Sequence, residues 1–227
     1  MLKIESVSED HPVWELSGFE TSELNISFPE KTKQEYVLPI DEKRISVSLP
    51  KEQTEFSKKW NEGTSQLLEY LRSEKCIKQC PEVRRMWPSG FSRLSWDEPY
   101  KYVTIIKDSA GFSMHPHIDN REVIGVLIVN LHDNSKGTGT KFLNYPYEEG
   151  KEDIWYESPT KKNTGVFFLN NWNTWHKIEN STDETRYIAY NILHISQLNV
   201  PKKSEHRERK PYGLVTRYRN GSNTRRD

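Results

Sequence analysis

A mostly β chain, arranged as a sandwich or barrel with helical support from its N-terminal part, is predicted by three features of the sequence. Alanine, the strongest helix former, occurs only as Ala110 and Ala189, whereas β-branched and aromatic residues abound. From Tyr100 to Leu198, apolar runs of strand length alternate with clusters of Gly, Asn, Asp, Ser and Pro. Helical periodicity occupies one stretch, Glu52 to about Lys75. The 227 residues suit one domain, and 33% hydrophobic content with 33 Lys+Arg balancing 33 Asp+Glu is a folding composition, not a disordered one.

Taken in order, residues 1–50 read as short extended pieces divided by Pro12, Pro29, Pro39 and Pro50, and Arg44 to Leu49 alternates as a half-buried strand does. In the helical stretch Phe56, Trp60, Leu67, Leu68 and Leu71 share one face, the face that would cover a sheet. The stretch reads as one helix, with a break into two at Gly63 as the alternative. Strands are expected at Tyr100–Ile106, Val123–Leu131, Lys141–Leu143, Gly165–Leu169 and Thr185–Ile195. After Val200 the composition changes: from Lys202 to Asp227 nine Lys/Arg face three acids, which reads as a basic, surface-draped tail.

Balanced charge removes any global reason to bind nucleic acid, leaving only the basic tail as a local one. The longest apolar runs, such as Val126–Val129, are far too short to cross a bilayer, so no membrane partner is expected. Lys3, Glu5, Glu9 and Asp10 exclude a signal-peptide reading of the first residues, and a cytoplasmic setting is the expectation. Cys76 and Cys80 have no further cysteines with which to build a zinc site and are expected as thiols.

Chemistry concentrates in Phe112-Ser-Met-His115-Pro-His117-Ile-Asp119-Asn120. One residue separates His117 from Asp119, so an extended backbone sends both side chains to one face, where they can meet one metal ion. A third ligand on the same side would complete the two-histidine, one-carboxylate facial triad that suits Fe(II) and leaves positions open for reaction. Of His132, His176, His194 and His206, His176 is best placed, following the buried-looking run Val166–Leu169 and the loop Asn170–Trp175. His115 shares the strand face with His117 and is expected outside the ligand set, because only His117 makes His-x-Asp. Ten residues past His176, Arg186 enters a largely apolar strand, where an inward guanidinium needs an anionic partner. The distal carboxylate of a dicarboxylic cosubstrate would serve, gripped bidentately. A solvent-facing Arg at a strand edge is the competing reading. Trp172 and Trp175 frame the approach to His176, and Asn130 and Asn191 lie on strands where an amide needs partners.

These residues, in this order, resemble the Fe(II)- and 2-oxoglutarate-dependent oxygenases, in particular the prolyl-4-hydroxylase-like branch. His117-x-Asp119, His176 and Arg186 are similar to that family's His-x-Asp, distal His and following basic residue. Gly125–Leu131, the Gly137-Thr-Gly-Thr140-Lys-Phe142 element and Gly165–Leu169 resemble its strands around them, over about Tyr100 to Ile195. The resemblance implies a double-stranded β-helix core, jelly-roll or cupin-like, with N-terminal helices packed outside. It implies three segments: supporting strands and helix in 1–99, a catalytic core in 100–200, and a basic tail in 201–227. The activity implied is hydroxylation of an unactivated C–H bond, in a prolyl residue or a small metabolite, with release of succinate and carbon dioxide. Fe(II), 2-oxoglutarate, dioxygen and an unidentified substrate are the implied partners. His117, Asp119 and His176 would be both the metal ligands and the catalytic set; Arg186 would bind the cosubstrate, with Tyr102 and Asn130 beside it. Tyr100 and Thr104 are alternative positions for the family's cosubstrate-binding tyrosine. A non-catalytic cupin-like metal- or ligand-binding module is the competing function, since a scaffold does not dictate an activity.

Overall fold

The structure, a computed structural model, describes residues 1–22, 43–50, 55–80, 102–120, 123–134, 136–148 and 150–194. The basic segment 201–227 and His206 lie outside the described residues, as does Tyr100. Three strands open the chain, β1 (Lys3–Ser6), β2 (Val13–Ser17) and β3 (Arg44–Pro50), followed by helices α1 (Glu55–Arg72) and α2 (Glu74–Gln79). The rest is β: β4 (Tyr102–Asp108), β5 (Ser113–His117), β6 (Val123–Asn130), β7 (Thr140–Leu143), β8 (Ile154–Glu157), β9 (Thr164–Leu169), β10 (His176–Glu179) and β11 (Arg186–His194).

Two antiparallel sheets result, one ordered β1-β2-β9-β6-β11-β4-β3 and the other β5-β10-β7-β8. From β4 onward the chain passes back and forth between them, so that β4-β11-β6-β9 opposes β5-β10-β7-β8. That winding is the jelly-roll, double-stranded β-helix arrangement. The N-terminal strands lengthen the larger sheet at both edges, β2 pairing with β9 and β3 with β4.

Strand alternation divides the core into two layers. Between the sheets lie Ile106, Val126, Ile128, Val166, Phe168 and Ile188 of the larger sheet and Phe142 of the smaller. On the outer face of the larger sheet, Leu127, Val129, Phe167, Leu169 and Ala189 meet Phe56, Trp60, Leu67 and Leu71 of α1. The apolar stripe of α1 is thus the cover that the exposed sheet face requires. β6 is buried along its whole length because both of its faces are covered.

The helical stretch divides ten residues later than Gly63. Ser73 interrupts it, and its hydroxyl accepts the Cys76 amide to cap α2. Gly63 continues α1 and serves packing: a Cβ there would stand 2.5 Å from Phe19 Cζ. Cys76 and Cys80 are buried and form no disulfide; burial first, then the neighbouring Cys80, pushes the Cys76 thiol up to about 12. Among the described residues no helix is long and apolar enough to cross a membrane.

Candidate metal centre

His117 closes β5 and His176 opens β10, neighbouring strands in which these two residues are direct register partners. Asp119 follows two residues beyond β5. Side-chain ligand atoms of His117, Asp119 and His176 all lie within 4.8 Å of one another, and the two imidazole centroids are 4.3 Å apart. His176 Nε2 and Asp119 Oδ2 approach to 3.7 Å.

Each imidazole is oriented from behind. His117 Nδ1 bonds the His115 carbonyl at 2.8 Å and His176 Nδ1 bonds the Thr174 carbonyl at 3.0 Å. A carbonyl oxygen only accepts, so each Nδ1 carries the proton and each Nε2 presents its lone pair, the tautomer a metal ligand needs. Burial among Phe142 and Phe168 lowers the His176 pKa to about 4; Asp119 opposes that shift and His117 adds to it. His176 is therefore neutral at physiological pH. Asp119 Oδ2 is buried and has no hydrogen-bond partner among the described residues. An orphaned carboxylate oxygen is costly, and a divalent cation is the partner that two imidazole nitrogens and one carboxylate fit.

Asn170 holds the Asp119 loop, a role its place in the sequence does not disclose. Its Nδ2 donates toward the carbonyls of Asp119, Asn120 and Val123 at 3.1, 2.9 and 3.0 Å, and its own amide donates to Ile124 O at 2.8 Å. The loop before His176 is fixed similarly, with the buried Thr174 hydroxyl bonded to the Leu169 and Asn171 carbonyls. At its surface Trp172, 41% exposed, stands edge-on to Tyr145, and Trp175 stacks on Tyr147. His115 is exposed and His132 packs its ring against Tyr187, so neither joins the cluster.

Arg186 does point inward. It shares a strand face with Ile188 of the inter-sheet layer, is 2% exposed, and therefore is not a solvent-facing edge residue. Its partner, however, is already in the chain: Nη1 bonds Asp108 Oδ2 at 3.4 Å, and Arg44 grips the same carboxylate through Nε and Nη2 at 2.6 and 2.8 Å. Arg44, Asp108 and Arg186 form a cross-strand row over β3, β4 and β11. Burial lowers the Arg186 pKa, Asp108 opposing and Arg44 reinforcing the shift.

Asn130 makes structural bonds between segments of the larger sheet. Its Nδ2 donates to the Pro159 and Thr164 carbonyls, tying the segment ahead of β9 to β6. The remaining Oδ1 is an acceptor and cannot bind a carboxylate. Asn191 is buried on β11. Tyr102 opens β4 in register with Pro50, and its side chain lies outside the described residues, as does that of His194.

No protein-family model matches the chain, and no curated protein does. Among solved structures it is similar to a Pseudomonas putida prolyl-4-hydroxylase, at 12% identity over 66% of this chain and 71% of that one, with a TM-score of 0.44. It is similar also to the viral collagen prolyl hydroxylase of Paramecium bursaria Chlorella virus-1, in a 2OG complex, at 15% identity, 66% and 78% coverage, and a TM-score of 0.46. A Trichoplax adhaerens prolyl hydroxylase bound to a hypoxia inducible factor peptide matches at 11% identity, 70% and 67% coverage, and a TM-score of 0.43.

Proposed function

We propose that the chain is an Fe(II)- and 2-oxoglutarate-dependent dioxygenase that hydroxylates an unactivated C–H bond of a prolyl residue or small metabolite, releasing succinate and carbon dioxide. The observation that carries this reading is the convergence of His117, Asp119 and His176 within 4.8 Å, both imidazoles held in the metal-binding tautomer and a carboxylate oxygen left without a hydrogen-bond partner among the described residues. Bound Fe(II) would supply the activation of dioxygen that no side chain can provide. The chain's own contributions are three ligands on one face, an apolar wall of Phe142 and Phe168 that keeps water from His176, and a buried guanidinium at Arg186 for the distal carboxylate of the cosubstrate. Asn130 has no donors left for this purpose. Segment 100–200 is the proposed catalytic core, 1–99 its support and 201–227 an accessory that would carry any nucleic-acid contact. A cytoplasmic setting suits the two buried thiols.

A non-catalytic, cupin-like binding module is favoured by one observation, the Asp108 partner that Arg186 already has. Anaerobic titration separates the readings. Wild type should bind one Fe(II) and, with 2-oxoglutarate under nitrogen, develop the charge-transfer band of a chelated keto acid. His176→Ala should lose the metal, whereas Arg186→Lys should keep it and bind 2-oxoglutarate about ten- to a hundredfold more weakly. A wild type that binds iron but shows no band with 2-oxoglutarate is the module, not the oxygenase.

A further inference from the structure

The row Arg44–Asp108–Arg186 carries two guanidinium groups and one carboxylate, with Asp108 0% and Arg186 3% exposed at the side chain and Arg44 14%. Among the described residues one positive charge is therefore in excess in a nearly dry place, an arrangement that costs stability unless an anion arrives. The two contacts to Asp108 are unequal. Arg44 takes both carboxylate oxygens, at 2.6 and 2.8 Å, in the fork geometry of a strong pair, and rests 4.0 Å over the Phe112 ring. The Arg186 side chain has one long bond of 3.4 Å, its single side-chain hydrogen bond among the described residues. Asn180, 1% exposed, holds the backbone of this corner by donating to the carbonyls of Asp108, Ser109 and Glu184. The carboxylate is thus committed to Arg44, and the unspent charge and donors belong to Arg186.

We infer that Arg44 is a positioning residue that neutralises Asp108, so that Arg186 stays available to an incoming carboxylate instead of closing an internal ion pair. This rests on the cosubstrate reading above and adds a residue to it. Arg44 lies on β3, outside the eight strands that wind the jelly roll, and reaches the site only because β3 pairs with β4. Without Arg44, Asp108 would have, among the described residues, only Arg186 to pair with. The row would then be neutral, and an anion would have to displace a short internal pair.

Charge arithmetic makes the test specific. Relative to wild type, Arg44→Gln removes the excess charge, Asp108→Asn raises it by one, and the double variant restores the wild-type value. Binding of 2-oxoglutarate to each Fe(II)-loaded protein is measured under nitrogen, beside the Fe(II) affinity itself. Arg44→Gln should bind 2-oxoglutarate about ten- to a hundredfold more weakly. The double variant should return to within about threefold of wild type, Asp108→Asn should bind at least as tightly as wild type, and Fe(II) affinity should hold throughout. A purely structural role for Arg44 predicts no rescue by the second substitution. Arg44→Gln binding like wild type, or a double variant no tighter than Arg44→Gln, overturns the inference while leaving the oxygenase reading intact. A wild type that binds Fe(II) but not 2-oxoglutarate overturns both. Should Arg44→Gln fail to fold, Asp108→Asn decides alone, and weaker binding than wild type overturns the inference.

Discussion

Backbone carbonyls hold both imidazoles of the candidate centre, and one side-chain amide holds the Asp119 loop. Carbonyls of His115 and Thr174 set the two imidazoles, and the Asn170 amide gathers three carbonyls around Asp119. Asn170→Ala should leave those buried acceptors short of donors and let the Asp119 loop relax. A stability loss of about 2–3 kcal/mol is expected by denaturant titration, with Fe(II) affinity falling about ten- to a hundredfold. Retention of full metal affinity would show that the loop is held by its other contacts.

Helix α1 owes its place to what it covers. Its buried side runs through Phe56, Trp60, Gly63, Thr64, Leu67, Leu68 and Leu71, and Phe19 lies against Gly63 and tilts onto Trp60 at 5.0 Å. In an exposed helix, glycine to alanine stabilises by up to about 1 kcal/mol. Here the sign should reverse. Gly63→Ala places a methyl 2.5 Å from Phe19 Cζ, and overpacking of that kind costs about 1–3 kcal/mol. A lowered urea midpoint with unchanged m-value is expected, and adding Phe19→Leu should recover part of the loss. The alternative break at Gly63 is not found for a related reason: its glycine signal is packing, while Ser73 stops the helix by capping α2.

At the scale of the molecule the two sheets are joined by a small number of large side chains. Phe142 is fully buried and its ring lies 5.1 Å from Phe168, 5.9 Å from Trp155 and 6.0 Å from His176. It connects the smaller sheet, the larger sheet and the candidate metal centre. Phe142→Ala should cost about 3–5 kcal/mol of stability, and it should open a water path to His176. Weakened Fe(II) binding would accompany that loss, read by thermal unfolding with and without metal. A variant as stable as wild type would mean that the sheets are held together elsewhere.

Much of this was legible in the chain itself. Strand alternation, the apolar stripe of α1 and the order His117-x-Asp119, His176, Arg186 are local or linear patterns, and a period of two or a fixed spacing survives in the sequence whatever the rest of the molecule does. Short strands were less visible: β5 holds a proline between two histidines, and β8 and β10 have four residues each, too few to show a period. The partners of charged residues were not legible at all. Arg44 and Asp108 stand 64 residues apart and Asp108 and Arg186 stand 78 apart, brought side by side only by sheet register. Likewise the Asn170 amide reaches carbonyls about fifty residues earlier. The sequence by itself determined which side chains can bind metal and which runs can form strands, because those are properties of residue type and spacing. Which polar group meets which, and therefore where the buried charge is left unspent, was decided by the tertiary structure, because pairing energy depends on distance and burial that only the assembled sheets define.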